Sequence, residues 1–418
     1  MRIATAIFCC CAGLLAQAPE PQSAPAALQA LQVEALRRNP DLTAAAAGVR
    51  AAQDAVAPAG TLPDPQFMVQ QMSVGGPLPF AGYRSSGFAF TGFGISQQIP
   101  YPGKLGLSRA VAGSHAAAAA AALLSDQRAL AAEVAAAYFD LADVRESLEL
   151  LANQRALLKQ IEQAAELRYR TAAGTQADVL TAQFQQTDLE RERQTDTQQA
   201  AGDQERLRWL LGRPPGSTAI APLPLAPSRL RRSDQQLRAA LPASPALAVA
   251  RAEVAGASQS LALARKNLLP DFNVQYMYEN TGPAYPDYYQ WTVGMSLPLF
   301  HRGSRQRPEQ QRAAAQAVRQ QAHYTATLHQ QRYQLDSLLI TAHSQEQILA
   351  LTHDGLLPQA RAAVQSAMAA FRAGTLDLRP ALDAARQLLQ VQQQYWHAVA
   401  EHETTLARIR ALTGGPHA

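Results

Sequence analysis

Between Pro102 and Pro214 the chain contains no proline. The intervening residues are dominated by Ala, Leu, Gln, Glu and Arg, the types that lose least on entering a helix. A helix is therefore expected from Gly103 to Arg170, a break at Thr171-Ala-Ala-Gly-Thr175, and a second helix back from Gln176 to Leu211. At about 1.5 Å per residue the first arm alone spans roughly 100 Å, so no small compact core encloses it. Leu141, Val144, Leu148, Leu151, Leu157 and Ile161 recur at helical spacing and predict a narrow seam against partner helices. A solvent-exposed coiled coil is the plainer alternative for this stretch.

The first eighteen residues read as a secretory leader, with Arg2, an apolar run from Ile3 to Leu15 and Ala16-Gln17-Ala18 as a cleavage site. Cys9, Cys10 and Cys11 are the chain's cysteines and all lie inside that leader, so a chain cleaved after Ala18 has no disulfide or thiol chemistry. Lipid anchoring on one of them stays open, although Phe8 and its neighbours fit such a signal poorly. Beyond the leader no apolar run is expected to approach the ~20 residues of a spanning helix, which leaves strands as the means of membrane insertion. A formal charge of +4, spread along helices, gives no nucleic-acid surface.

A helix is expected from Ala26 through Asn39-Pro40-Asp41-Leu42 to Val56, stopped by Leu62-Pro63-Asp64-Pro65. Two strands follow, Gln66 to Val74 and Gly87 to Ile99, joined by a Gly/Pro/Ser loop. From Ser244 the pattern repeats. Ser244-Pro245-Ala246-Leu247 answers Asn39-Pro40-Asp41-Leu42, and Leu269-Pro270-Asp271 answers Leu62-Pro63-Asp64. Two further strands follow, then a helix from about Gly303 to Arg372, a break at Ala373-Gly374-Thr375, and a return from Pro380 to Leu412. The chain is thus a tandem duplication: leader 1–18, first repeat 19–213, a linker of exposed turns 214–233, second repeat 234–418. Each returning arm is half the length of its outgoing arm. The helices at 26–60 and 235–268 have the length to cover the remainder, so each copy makes a layer that can curve into a wall.

Of the 26 aromatic residues, 15 lie in the two strand regions. Phe272, Val274, Tyr276 and Tyr278 alternate with Asn273, Gln275, Met277 and Glu279, and Trp291, Val293 and Met295 with Gln290, Thr292, Gly294 and Ser296. Such alternation gives one apolar face for lipid and one polar face for a lumen; a half-buried soluble sheet is the alternative. Four strands cannot close alone, and open edges are not tolerated in lipid, so a membrane barrel requires several copies.

At this point the sequence resembles the TolC-type outer-membrane efflux channel family across essentially the whole mature chain. The carrying residues are Asn39-Pro-Asp-Leu42, Leu62-Pro-Asp64, Ile95-Ser-Gln-Gln-Ile-Pro-Tyr-Pro-Gly-Lys104, the turn from Tyr169 to Gln183 and its second copy from Phe371 to Thr375. The segment ending in Lys104 is most similar to the heavy-metal cation branch. The resemblance implies a mainly α fold with a membrane β-barrel: tandem-duplicated helical hairpins form a trimeric α-helical tunnel, and four strands per chain contribute to a 12-strand barrel. It also implies a homotrimer in outer-membrane lipid with a periplasmic extension, coupled through a periplasmic adaptor protein to an inner-membrane efflux pump, and no cofactor.

By the same resemblance Ala172, Ala173, Gly174 and Thr175, with Ala373, Gly374 and Thr375, are adaptor-docking tips. Gly174 and Gly374 are read as leaving room for a partner's backbone. Arg170, Asp178, Arg372, Asp377, Arg379 and Asp383 are periplasmic gate candidates, for which plain helix termination and solvated charge are the competing readings. This chain departs from the family pattern by placing Ala172 where glycine is usual and Pro380 where the first copy has Asp178. Thr175 and Asp178 have capping-box spacing.

No P-loop, nucleophile elbow or dinucleotide fingerprint appears, and the histidines, including His397 and His402, are read as helix-surface residues without a metal site. The chain is accordingly expected to be no enzyme but a passive export duct for metal cations or small toxic compounds. The alternatives are a periplasmic coiled-coil scaffold and the exit duct of a type I protein secretion system.

Overall fold

The computed structural model describes residues 24–296 and 306–414; the leader, the start of the second long helix expected at Gly303 and the last four residues lie outside them. Proline and side-chain caps decide where the helices break. Helix α1 (Ala24–Arg38) ends before Asn39, whose Oδ1 accepts from the amides of Asp41 (2.9 Å) and Leu42 (3.4 Å) and so starts α2 (Pro40–Asp54), followed by the single turn α3 (Val56–Ala59). The single helix expected across Asn39 is therefore two, because a capping side chain followed by proline favours a new N-terminus. The second copy does the same. Helix α6 (Asp234–Ala240) and a 3₁₀ turn precede Ser244, whose hydroxyl caps α7 (Pro245–Lys266).

Strands β1 (Gln66–Met72), β2 (Phe90–Ile99), β3 (Asp271–Asn280) and β4 (Tyr288–Ser296) form one antiparallel sheet in the order β1-β2-β3-β4. The long helices are α4 (Lys104–Arg170) and its partner α5 (Gln176–Leu210), then α8 (Arg307–Leu351), α9 (Leu357–Arg372) and α10 (Leu378–Thr413). The outgoing helix of the second copy runs to Arg372 as expected but carries one π turn. Pro358 has no amide to donate, and the chain widens into a π turn at Thr352–Leu356, where the Leu357 amide reaches back to Thr352 O. A second correction concerns α4: one 18-residue window reaches a mean hydropathy of 1.2 with at most two charged residues, so by length and composition it is apolar enough to cross a membrane. Its apolarity comes largely from alanine, as in Ala116 to Ala122.

The chain divides into two compact units. The first contains Glu133–Ser228 and Gln347–Thr404. Its core joins Leu151, Leu158, Ile161 and Ala165 of α4 to Ala182 and Leu189 of α5, Val364, Met368 and Phe371 of α9, and Leu378, Leu382, Ala385 and Leu389 of α10. The seven-residue steps 151-158-165 and 182-189 are a coiled-coil seam. Leu141, Val144, Leu151 and Ile161 are buried as expected, whereas Leu148 and Leu157 are only half-buried and Leu158 takes the seam position. The linker is more than exposed turns: Ile220 and Leu225 are buried, and Tyr138 Oη accepts from the Leu223 amide at 3.0 Å.

The second unit holds the sheet, α2, α7 and the rest of the long helices. Leu237, Leu241, Leu335, Leu339, Ala342, Leu406 and Ile409 form its helical core.

Candidate functional site

The helices α4 and α9 end alike. Ala172 (φ 56°) and Gly374 (φ 77°) both take the left-handed conformation, and the next amide closes the turn, Ala173 N–H to Arg168 O at 2.8 Å and Thr375 N–H to Ala370 O at 3.0 Å. This is the Schellman ending that glycine favours. The two tips thus align Ala172 with Gly374 and Gly174 with Leu376, so the two glycines do not share one role. Gly374 supplies a positive φ in open space; Gly174 does not have a positive φ, and a Cβ there would stand 3.0 Å from Arg168 Cβ. Close approach at Gly174 is by the chain's own Arg168.

Thr175 starts α5 through a reciprocal capping box: its Oγ1 accepts from the Asp178 amide at 3.2 Å, and its amide donates to Asp178 Oδ2 at 3.0 Å. Asp377 directly precedes α10, and Pro380 lies in its first turn. Ala172, Ala173, Thr175, Ala373, Gly374 and Thr375 are exposed. The gate candidates divide. Asp178 is spent on the cap, Arg170 lies 3.7 Å from Glu166 one turn back, and Arg372 donates to Gln160 Oε1 at 3.1 Å. Asp377, Arg379 and Asp383 are exposed and pair with none of the described residues.

Sequence reasoning missed Arg168. Its Nη1 donates to Phe371 O (3.3 Å) and Leu376 O (3.0 Å), its Nη2 donates to Ala173 O (3.2 Å), and the guanidinium lies 5.0 Å from the centre of the Phe371 ring. One cation therefore serves carbonyls of both turns, which are separated by some two hundred residues in sequence and so announce nothing to a local reading.

In the sheet, directly paired residues share a face. Phe67 faces Ile95, which faces Tyr276, which faces Trp291; Val69, Phe93, Tyr278 and Tyr289 form a second row. Phe272 with Met295 and Val274 with Val293 extend the same face. All seven residues expected to face lipid are thus brought together. Phe67, Trp291 and Val293 are 71%, 70% and 72% exposed. The opposite face carries Gln66, Gln70, Ser96, Asn273, Gln275 and Thr292, with Met277 packed over Gly92 and Gly94.

Where strand passes to helix, the buried Lys104 donates to Asp271 Oδ1 (2.8 Å) and Leu269 O (3.1 Å), and Asp271 Oδ1 also accepts from the Tyr101 amide (2.7 Å). Two sequence motifs, one from each repeat, are thereby one contact.

One histidine corrects the surface reading, while His397 is exposed as expected. His402 is fully buried with Nε2 2.9 Å from Ser228 O. His397 Nδ1 lies 2.8 Å from Asp143 Oδ2, and this bond holds its pKa above the ordinary value. Burial pushes Asp143 up as well, against the pull of His397. Among the described residues no group of three or more His, Cys, Asp or Glu is arranged to hold a metal.

The sequence profile of the outer membrane efflux protein family matches residues 31–213 and 237–415, one segment per repeat. The pyoverdine export outer membrane protein OpmQ of Pseudomonas putida is 28% identical over 414 residues, 92% of this chain and 85% of that protein. Protein CyaE of Bordetella pertussis is 31% identical over half of this chain. Among solved structures, the outer-membrane channel OprN matches with a TM-score of 0.80 at 19% identity over 93% of this chain and 90% of its own, and the outer membrane protein VceC of Vibrio cholerae with 0.80 at 20% over 94% and 97%. These likenesses fix the fold: tandem helical hairpins with a four-stranded sheet are the architecture of such channels.

Proposed function

Because the chain belongs to the outer membrane efflux protein family, it is an outer-membrane channel with a periplasmic helical extension and not an enzyme, and we propose that three copies close into a passive export duct. The observation that carries this is the sheet: Phe67, Val69, Phe93, Ile95, Tyr276, Tyr278, Trp291 and Val293, from all four strands, share one face, while both edges, β1 and β4, are unpaired among the described residues. Open edges are excluded from lipid, and an even number of antiparallel strands lets β4 of one copy continue into β1 of the next. Phe272, Val274, Tyr276, Tyr278, Trp291, Val293 and Met295 then meet lipid, and the Gln/Asn/Thr face lines the lumen.

At the other functional element, the tips 172–175 and 373–375 dock a periplasmic adaptor protein that links the duct to an inner-membrane pump. Asp377, Arg379 and Asp383, which have no ion-pair partner among the described residues of their own chain, pair across copies. Such exposed pairs contribute about 0 to 1 kcal/mol each, weak enough for a gate to release. Arg170, Arg372 and Asp178, engaged within the chain, are left out of these pairs. The cargo is a small toxic compound or a metal cation. OpmQ, named for pyoverdine export, supports a small organic molecule, and the Pro-Gly-Lys104 segment supports a metal cation.

The test is deletion of the gene followed by a toxicity panel of metals, drugs and dyes, with extraction of the protein from outer membranes. A duct requires detergent for release, runs as a heat-sensitive trimer and confers resistance to some member of the panel. A protein that leaves by osmotic shock as a soluble monomer contradicts the reading.

A further inference from the structure

We infer that Arg168 is a positioning residue that staples the two tips of one chain together, so that the partner meets them as a single composite surface. This rests on the reading of the tips as a docking site. A helix C-terminus leaves carbonyls without intrahelical donors and carries partial negative charge. Two such ends, those of α4 and α9, lie side by side, and one guanidinium answers both: Ala173 O in its own turn, Phe371 O and Leu376 O in the other.

The planar fork fits this arrangement. Two nitrogens aim at separate carbonyls while the flat face lies on Phe371, which is 2% exposed and belongs to the shared core. The lysine ammonium, a point charge on a thinner stem, cannot reach both turns and cover the ring. Gly174 supplies the room, since a Cβ there would press on the Arg168 stem at 3.0 Å. Arg170, two residues on, pairs with Glu166 and with no carbonyl of either turn among the described residues, so the staple is a property of one position and not of a basic patch.

The experiment uses the full chain in outer membranes with Arg168→Gln, Arg168→Lys and, as a control, Arg170→Gln. Three measurements are made on each: trimer yield, hydrogen exchange of the peptide covering 370–377, and photo-cross-linking to co-expressed adaptor from probes placed at Ala173 and Ala373. Peptide 370–377 does not contain the altered residue, so its exchange reports coupling between tips.

For Arg168→Gln the trimer survives, exchange at 370–377 rises by about tenfold as the carbonyl ties are lost, and cross-linking falls at both tips. Arg168→Lys recovers part of each loss, and Arg170→Gln matches the wild type. Unchanged exchange at 370–377 overturns the staple. Raised exchange with undiminished cross-linking at both probes overturns the composite surface. If the wild-type tips give no cross-link at all, the docking reading itself falls and takes the composite surface with it, while the exchange data still decide the staple.

Discussion

Lys104 Nζ stands 2.8 Å from Asp271 Oδ1, joining the residue that opens α4 to the residue that opens β3. The lysine side chain is 8% exposed and the aspartate 27%. Because Lys104 is nearly enclosed, Asp271→Asn leaves its charge with neutral oxygen acceptors and no counter-charge, and a loss of about 3 kcal/mol is expected, the lower end of the range for breaking a buried pair. Lys104→Met leaves Asp271 part-exposed and still bonded to the Tyr101 amide, so the loss is smaller. Thermal dissociation of the trimer on gels ranks the two; equal melting of both variants and wild type refutes the assignment.

The sheet predicts a face-dependent response. Val293→Arg or Val274→Arg places charge on the apolar face, at a cost of about 2 to 4 kcal/mol near the membrane midplane, and blocks assembly. Substitutions at Gln275 or Thr292 do not. Heat-modifiable trimer in outer-membrane fractions is the readout, and equal assembly of both classes removes lipid from the account of this face.

At the tips, Ala172 and Gly374 share the left-handed conformation but not the residue best suited to it. Ala172→Gly relieves roughly 1 kcal/mol of backbone strain, and Gly374→Ala introduces a similar amount. Exchange at the tip amides slows in the first and quickens in the second. Gly174→Ala acts differently, by pressing on Arg168 Cβ, so its effect persists in an Arg168→Gln background, which keeps that atom, and shrinks in an Arg168→Gly background.

The His397–Asp143 bond gives a pH dependence. His397 titrates above 6.5 in the folded chain, so the stabilisation of its charged form is complete below that value and is lost as pH rises through the raised pKa. Asp143, raised by burial with Asp140 and Asp196 adding to it, also loses stability as pH rises, but in a window that begins at its ordinary 3.8 and so apart from the His397 step. The melting temperature should drift downward with pH above 6.5, and His397→Gln should flatten the drift. A wild-type profile that rises over that interval contradicts it.

What the sequence revealed and what it hid follow from range. Helix α4 was legible because proline is absent and helix formers dominate, and the capping box at Thr175 because its partners are three residues apart. The break at Asn39 and the π turn before Pro358 are equally local but are masked by the helical composition on either side. In the first repeat the strand alternation is blurred by Gly92, Gly94 and Gln97; only the register with β3 shows that Phe93 and Ile95 join Tyr278 and Tyr276 on one face. Arg168, Lys104 and His397 find their partners across more than 160 residues. No period or motif encodes such meetings, and the buried His402, five residues from exposed His397, carries no local mark of its different surroundings.

The central claim is that copies of this chain complete each other's sheet, and edge cross-linking tests it most directly. With single cysteines placed on β1 and on β4 and a short bismaleimide applied to outer membranes, the account predicts a ladder that ends at three chains and appears only when both edges carry a cysteine. Cross-links absent from the double variant, or a ladder that runs on beyond three, would contradict it.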